Sequence, residues 1–197
     1  CPVTTFSMEH KNADFTADDL RFVRDEKLGM AFTLTHNGIS DTCKVGMPGV
    51  FSVYNALTAA AVAHGLQIDK QTVFKALENA CVKGRMEPVA VPGNYDVLID
   101  YAHNGVSFKS VIETVKAYAP TRLIALYGCV GGRAQVRRKE MAMISGSLCD
   151  LSIISTDDPQ YEDPAEIAKE VASYVAQIGG KYEIIVDRAE AIRFALD

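Results

Sequence analysis

The pattern of apolar and polar positions differs between the two halves of the chain and predicts different elements in each. Residues 30–35 alternate as a half-buried strand does, and residues 36–41 contain Asn-Gly, a strong signal for a hairpin turn. The Ala-rich stretch 53–64 predicts a buried helix, and residues 70–80 predict a second helix. The first half therefore combines strands with two helices.

From about residue 94 onward, apolar strands alternate regularly with helices. The predicted strands are 95–101, 122–127, 151–155 and 182–186, and the predicted helices are 107–118, 138–148, 164–178 and 189–196. This alternation is typical of βαβ units, which build a parallel sheet. Because such crossovers are right-handed, we expect an α/β fold with a Rossmann-like, doubly wound, mostly parallel sheet. Glycine and proline cluster next to this region and predict a domain boundary near residues 84–92.

Composition and charge narrow the class of protein. With 48% apolar and 23% charged residues, the 197-residue chain matches a globular protein rather than a disordered, collagen-like or coiled-coil one. No apolar run approaches the roughly 18 residues of a membrane-spanning helix. The net charge of −5 and the pI of 5.4 disfavour nucleic-acid binding through a basic surface. We therefore expect a small-molecule partner, no nucleic acid and no membrane.

Cysteine and histidine usage predicts neither a disulfide framework nor a metal site. The five cysteines form no C-x-x-C, and the four histidines show no metal-ligand spacing. Reduced, mostly buried thiols are typical of a cytoplasmic protein, and we expect that location. Because the chain begins at Cys1 and stops at Asp197 inside a predicted helix, we also expect it to be a fragment of a longer protein.

Candidate chemistry lies where the predicted parallel strands end. Ligands of open parallel sheets collect beyond the carboxyl ends of the strands. Three of these ends become polar or glycine-rich as soon as the apolar run stops, at residues 100–105, 128–133 and 155–160. This coincidence predicts a ligand site at that edge of the sheet.

The glycine-rich end has two interpretations. Backbone N–H groups at Gly131 and Gly132, with Arg133, Arg137 and Arg138 just beyond, suit a bound anion. The same residues also suit a tight strand-to-helix turn followed by a solvated basic face. The loop is not a G-x-G-x-x-G motif, and no G-x-x-x-x-G-K-[ST] occurs in the chain.

The acidic residues at strand ends also allow two interpretations each. Asp157 and Asp158 suit an ammonium group or a metal, or they cap the next helix, for which Asp163 is the better candidate. Asp100 ends a strand and suits a ribose hydroxyl pair or a local cap. His103 alone is a weak signal, because a lone histidine more often has a structural role than a ligand role.

Two polar residues stand apart from the strand ends. Asn55 lies on the Ala-rich helix, where a buried amide needs a hydrogen-bonding partner such as a loop. Arg85 lies between the two predicted domains and is either a surface arginine or a functional one.

Taken together, six motifs resemble the Mur ligase family. They are PGVFSVYNAL (48–57), GRME (84–87), DYAH (100–103), GC (128–129), DDP (157–159) with EDP (162–164), and DRAEAI (187–192). Each motif is weak alone, whereas their order and spacing match the family over nearly the whole chain. The resemblance is strongest to the branch that adds the third residue of the peptidoglycan stem peptide.

The resemblance implies an ATP-dependent amide ligase with three domains. The carboxylate of UDP-MurNAc-L-Ala-D-Glu attacks the γ-phosphate of ATP, and the amine of a diamino acid then displaces phosphate from the acyl phosphate. Mg²⁺ and cationic side chains are implied because charge develops on phosphoryl oxygens.

Only part of that apparatus is expected in these residues. Residues 1–88 match the end of a central α/β ATP-binding domain, and residues 89–197 match a C-terminal ligase domain truncated at its end. The resemblance places the UDP-binding domain, the P-loop, the carbamylated lysine and most magnesium ligands outside the chain. We expect no ligase activity from the 197 residues alone, and a monomer.

Site residues are carried over from the family by position. For ATP they are Asn55 (adenine), Arg85 (phosphates), Asp100 (ribose) and His103. For the incoming amino acid they are Arg133, Asp157, Asp158 and Gln160. The resemblance assigns no catalytic residue and no metal ligand within the chain.

Departures from the family pattern bear on the amino acid. Ser52 replaces the first Asn of F-N-x-x-N, residues 104–105 replace the T-P of D-Y-A-H-T-P, and residues 132–134 lack an acidic residue of G-D-R-D. In the branch that adds meso-diaminopimelate, D-N-P-R supplies an Arg that pairs with the distal carboxylate of that substrate. The neutral Gln160 cannot form such a bidentate pair. Together with Asp158 it favours L-lysine, with meso-diaminopimelate as the alternative.

Two other functions compete with this one. A folylpolyglutamate-type or cyanophycin-type ligase shares parts of the architecture, although the paired DDP and EDP motifs and the DRAEAI run favour the muramoyl ligase. A non-catalytic nucleotide- or peptide-binding module with the same fold is the alternative from another class. A P-loop upstream of the chain would favour the ligase over the module.

Overall fold

The computed structural model describes residues 3–24, 28–132 and 135–197. The chain forms two compact units, Cys1–Tyr101 and Ala102–Asp197. Each unit has its own cluster of buried apolar side chains. The predicted domain boundary between residues 88 and 89 stays a prediction.

A four-stranded sheet forms the base of the first unit. Its strands are β1 (Phe6–Ser7), β2 (Phe15–Arg24), β3 (Leu28–His36) and β4 (Ile39–Val45), in the order β1-β2-β3-β4. The first pair is parallel and the other two are antiparallel. The predicted hairpin is confirmed, because Asn37 and Gly38 alone join β3 to β4 with φ angles of 50° and 73°. A type I′ turn requires such positive φ angles at both positions.

Two helices follow the sheet, α1 (Val50–Gly65) and α2 (Lys70–Glu78). The prediction that the Ala-rich helix is buried holds for one face of α1 only. That face consists of Ser52, Val53, Ala56, Leu57, Ala60 and Ala61. Their i, i+1, i+4, i+5 spacing is that of a stripe packed on one surface, here the sheet β1–β4. The opposite face mixes the apolar Ala59, Val62 and Ala63 with polar residues, so the Ala-rich composition did not show which face is buried.

A short antiparallel hairpin closes the first unit. Its strands are β5 (Glu87–Val89) and β6 (Val97–Ile99). The sequence predicted the segment 95–101 as the first strand of the parallel sheet, and that placement is wrong in the described structure. The strand pairs instead with β5, because the chain reverses between them at Pro92 and Gly93, where φ is 155° at the glycine.

The second unit alternates helices with parallel strands. In chain order its elements are α3 (Gly105–Ala117), β7 (Ile124–Tyr127), α4 (Val136–Leu148), β8 (Leu151–Ile154), α5 (Pro164–Gln177), β9 (Tyr182–Ile184) and α6 (Arg188–Leu196). The sheet order is β7-β8-β9, and both strand pairs are parallel. This arrangement confirms the predicted α/β class. Among the described residues, no helix has the length and apolar character needed to cross a membrane.

Leucine 57 provides a test of the packing of α1. Its side chain is fully buried, whereas Val62 on the same helix is 58% exposed. We expect Leu57→Ala to lower the free energy of unfolding by about 2–5 kcal/mol, since it leaves a cavity. The control Val62→Ala should change it by no more than about 0.5 kcal/mol. Urea unfolding of the chain, followed by circular dichroism, measures both, and equal losses would contradict this packing.

Candidate functional site

A tight turn in the first unit presents Arg85 to solvent. Gly84 has a φ of 68° and Met86 a φ of 46°, and the Gly84 N–H donates to Glu87 Oε2 at 2.7 Å. A left-handed conformation costs a residue such as Met86 roughly 1–2 kcal/mol. Burial offsets that cost, since the Met86 side chain is only 1% exposed. The buried methionine therefore anchors the turn, while Arg85 stays exposed.

Asp100 ties this turn to the end of β6. Its Oδ2 accepts a hydrogen bond from the Met86 N–H at 2.8 Å, and the Tyr101 N–H donates to the Gly84 carbonyl oxygen at 2.8 Å. The Arg85 guanidinium lies over the Tyr101 ring, with its Cζ 5.1 Å from the ring centroid. The structure thus brings two of the predicted ATP residues, Arg85 and Asp100, to one place. A cation beside a carboxylate matches the phosphates and hydroxyls of a nucleotide.

Asn55 lies elsewhere in the first unit. It is exposed on α1, so the alternative of a core hydrogen bond is wrong. It lines an open groove of about 500 Å³ whose other walls are Thr58, Ala59, Val62, Ala63, Leu66 and Ile68. An apolar groove with one amide suits a flat base that offers a hydrogen-bonding edge. His103 belongs to the second unit, where it is exposed two positions before α3.

The glycines after β7 allow this loop to lie against the loop after β8. A Cβ at Gly131 would lie 2.0 Å from the Pro159 carbonyl oxygen, and a Cβ at Gly128 would lie 2.6 Å from that of Ser155. The Gly131 N–H donates to the Asp158 carbonyl oxygen at 2.8 Å. Of the two interpretations of the glycine loop, the tight strand-to-helix turn agrees with these close contacts.

The predicted anion donors are largely engaged inside the unit. Gly131 and Gly132 both donate their N–H groups within the protein, Gly132 to Glu162 Oε1 at 2.6 Å. Arg138 is buried rather than on a solvated basic face. Arg133 lies outside the described residues. Among the described residues of this prediction, Arg137 is the one exposed cation, and the anion site stays a prediction without a supporting contact.

A buried arginine forms ion pairs with two half-buried carboxylates next to the two loops. The Arg138 side chain is 3% exposed, and its Nη2 donates to both carboxylate oxygens of Glu162 at 2.8 and 2.9 Å. Its Nη1 donates to Glu170 Oε2 on α5 at 2.6 Å. The Gly132 N–H and the Arg138 guanidinium hold the pKa of Glu162 below its usual range. Glu162 therefore keeps its charge at neutral pH.

The acidic loop 157–160 is exposed beside this cluster. Asp157, Asp158 and Gln160 are all exposed, and Gln160 has a φ of 49° and donates its N–H to Asp158 Oδ1 at 3.1 Å. Asp163 caps α5 by accepting from the Ala165 N–H at 2.7 Å, so Asp157 and Asp158 do not serve as its cap. Within residues 3–24, 28–132 and 135–197, no group of three or more His, Cys, Asp or Glu side chains is arranged to hold a metal.

Cys129, in the glycine loop, has no nucleophilic character at neutral pH. Burial raises the pKa of its thiol to about 12. The thiol is therefore protonated, which excludes it as a reacting group.

Glu162 and Glu170 were not predicted as partners of Arg138, although the sequence carries a signal that Arg138 needs partners. Arg138 shares a helix face with the apolar Met141 and Ala142, at i, i+3 and i+4. A cation on a buried face needs carboxylate partners. That spacing predicts partners for Arg138, and only the fold shows which carboxylates they are.

Comparison with known proteins places these features in a family. The Mur ligase, glutamate ligase domain matches residues 84–197, and the Mur ligase middle domain matches residues 1–63. The chain belongs to the Mur ligase family. The turn 84–87 and the loops 128–132 and 157–160 all lie within the part of the chain that matches the glutamate ligase domain.

Relatives within the family are similar over nearly the whole chain. The UDP-N-acetylmuramoyl-L-alanyl-D-glutamate–2,6-diaminopimelate ligase of Caldanaerobacter subterraneus is 34% identical over 93% of the chain. The enzyme of the same name from Clostridium perfringens is 33% identical over 99%. The chain spans 38% and 39% of the length of these two relatives.

Solved structures agree with the fold. A structure of a UDP-N-acetylmuramoyl-L-alanyl-D-glutamate–2,6-diaminopimelate ligase covers 98% of the chain with a TM-score of 0.69 and 26% identity, and the chain spans 39% of it. The UDP-N-acetylmuramate-alanine ligase from Thermotoga maritima covers 93% with a TM-score of 0.73 and 20% identity, again over 39% of that protein. The second match supports the fold alone.

Gly131 tests whether the two loops need their close approach. We expect Gly131→Ala to lower the free energy of unfolding by about 1–3 kcal/mol, because the added Cβ meets the backbone of Pro159. Gly65→Ala is the control, since nothing lies within 4 Å of a Cβ there. It should leave the unfolding free energy unchanged or raise it by up to about 1 kcal/mol, because alanine fits the helical backbone there. If both variants unfold at the urea concentration of the wild type, the close approach is not required.

Acid titration tests the ionised state of Glu162. Its folded-state pKa lies below the ordinary value of 4.5, so its contribution to stability is complete above that pH and is lost as the pH falls through the lowered pKa. We expect the melting temperature of Glu162→Gln to fall less than that of the wild type between about pH 5 and about pH 3. Superimposable pH profiles of wild type and variant would show that Glu162 makes no such contribution.

Proposed function

We propose that the complete protein carrying this chain is an ATP-dependent amide ligase that joins a diamino acid to UDP-MurNAc-L-Ala-D-Glu in peptidoglycan synthesis. One observation carries the proposal. Relatives named for ligation to that UDP-linked dipeptide are 33–34% identical over 93–99% of the chain.

The proposed reaction has two steps. The dipeptide carboxylate attacks the γ-phosphate of ATP, which releases ADP and leaves an acyl phosphate. The amine of the diamino acid attacks the acyl carbon, and phosphate leaves as the amide forms. Negative charge builds on the phosphoryl oxygens, where Mg²⁺ and cations stabilise it. We assign the magnesium ligands to parts of the protein other than this chain.

ATP is assigned to four residues, of which Asn55, Arg85 and His103 are exposed and Asp100 is half-buried. Arg85 contacts the phosphates, because its guanidinium is exposed and its backbone is anchored by the buried Met86. Asp100, at the adjoining strand end, takes the ribose hydroxyls. Asn55 takes the adenine edge, which suits its place in an apolar groove. His103 completes the assignment by its position in the family motif.

The incoming amino acid is assigned to the loop after β8. The Asp157 and Asp158 carboxylates are exposed there and attract ammonium groups. One such pair at 4 Å gains about 1 kcal/mol in water and about 4 kcal/mol at a partly dry site. Arg133 and Gln160 are assigned to the same amino acid by their position in the family motif.

Gln160 decides between the two diamino acids in this proposal. Meso-diaminopimelate carries a distal carboxylate that L-lysine lacks, and a neutral amide gives it no charged partner. We therefore assign L-lysine as the amino acid. The relatives are named for diaminopimelate, so both amino acids belong in the same assay.

Phosphate release by the complete protein tests the function. With ATP, Mg²⁺ and UDP-MurNAc-L-Ala-D-Glu, we expect release to depend on L-lysine and to be absent without an amino acid. Dependence on meso-diaminopimelate alone would retain the ligase and overturn the assignment of L-lysine. The absence of release with either amino acid would favour a binding module.

Exchange of the side chain at position 160 tests the specificity. We expect Gln160→Arg to raise kcat/KM for meso-diaminopimelate by about tenfold or more, equal to about 1.4 kcal/mol, because an arginine pairs with the distal carboxylate. Gln177→Arg makes the same charge change at an exposed position on α5 and should have no effect. An unchanged ratio of the two kcat/KM values in Gln160→Arg would show that this side chain does not select the amino acid.

A further inference from the structure

We propose that Arg138 and Glu162 are positioning residues for the incoming diamino acid. They hold the acidic loop 157–160 against the glycine loop 128–132, and so fix the carboxylates that receive the ammonium groups. This inference rests on the proposed function, because the amino-acid subsite on loop 157–160 is part of that proposal.

Arg138 connects three elements of the second unit from a buried position. It lies on α4 with 2% of its surface exposed. Its two terminal nitrogens reach the segment after β8 through Glu162 and helix α5 through Glu170, at 2.6–2.9 Å. One guanidinium therefore sets where the end of the acidic loop lies relative to two helices.

Glu162 extends this connection to the glycine loop. Its Oε1 accepts from both Arg138 and the Gly132 N–H, and its own N–H donates to the Pro159 carbonyl oxygen at 2.9 Å. A fourth bond joins the two loops directly, from the Gly131 N–H to the Asp158 carbonyl oxygen. Glu162 takes part in the other three contacts, with Arg138, the Gly132 N–H and the Pro159 carbonyl oxygen.

The chemistry of the cluster indicates more than a contribution to stability. The Arg138 side chain is buried, whereas the Glu162 and Glu170 side chains are 37% and 30% exposed. Taking the cation out of water costs desolvation energy that offsets much of its attraction to the carboxylates, so the net stabilisation by these pairs is small. Geometry is what a forked guanidinium supplies, since it fixes two carboxylates in direction as well as distance. Here one of the two carboxylates, Glu162, lies in the segment that carries the exposed Asp157 and Asp158, and the other, Glu170, lies on α5. Small displacements of such groups cost substrate affinity.

Steady-state kinetics of the complete protein test the inference. We expect Glu162→Gln to raise the KM for the diamino acid about tenfold or more, because the loop carboxylates lose their fixed position. The KM for ATP and the kcat at saturating amino acid should stay close to the wild-type values. Arg138→Lys, which keeps the charge but not the fork, should raise the same KM by less than Arg138→Met.

The control is a matched carboxylate on the neighbouring helix. Glu166 pairs with Lys169 on α5, and both side chains are more than 60% exposed. Glu166→Gln makes the same chemical change as Glu162→Gln without touching the loops, and it should leave every KM unchanged. An unchanged KM for the diamino acid in Glu162→Gln, or an equal rise in every KM, would overturn the inference.

Hydrogen exchange separates this inference from the function on which it rests. In the Glu162→Gln protein we expect faster hydrogen exchange at the Gly131 and Gly132 amides than in the wild type. In the Glu166→Gln protein the exchange rates of both amides should equal those of the wild type. Wild-type exchange rates at both amides in Glu162→Gln would overturn the positioning role even in an active enzyme. A wild-type protein that releases no phosphate with either amino acid would instead refute the proposed function. Glu162→Gln is nearly isosteric, and its melting temperature at neutral pH shows whether the variant is folded.

Discussion

The buried guanidinium of Arg138 is the constraint on which the second unit most depends. A cation removed from water must be neutralised, and here two carboxylates from different elements do so. The strand ends of a parallel sheet bring the glycine and acidic loops near each other, but strand geometry leaves their relative position open. The ion-pair cluster defines that position, and the glycines make the required approach sterically possible.

A similar arrangement supports the exposed arginine of the first unit. Asp100 holds a backbone amide of the turn 84–87, and the buried Met86 side chain offsets the left-handed backbone at that residue. In both units a carboxylate tied to backbone N–H groups determines where a loop lies. The groups assigned to substrates, Arg85 in one unit and Asp157 and Asp158 in the other, remain exposed on these fixed loops.

Turns and helix starts that depend on a few neighbouring residues were predicted correctly from the sequence. Asn37 and Gly38 specify their hairpin because both take positive φ, and Asp163 before a proline specifies the start of α5. Strand pairing was predicted less well. The strand β6 was expected in the parallel sheet but pairs with β5, because the chain reverses between them, and the pattern of apolar positions does not predict such a reversal. The exposure of Asn55 and the burial of Arg138 were missed for a related reason. A helix packed on one side can carry small apolar residues on both faces, so composition does not show which face is buried. The burial of a cation on an apolar face depends on carboxylates from other elements, which the sequence of its own helix does not identify.

The composition of the reaction product tests the central claim most directly. The complete protein would be supplied with ATP, Mg²⁺, UDP-MurNAc-L-Ala-D-Glu and equal amounts of L-lysine and meso-diaminopimelate. The UDP-linked peptide product would then be identified by mass spectrometry. The account predicts that the UDP-linked dipeptide gains one lysyl residue. A recovered dipeptide of unchanged mass, while ATP and both amino acids remain, would contradict the assignment of a diamino-acid ligase.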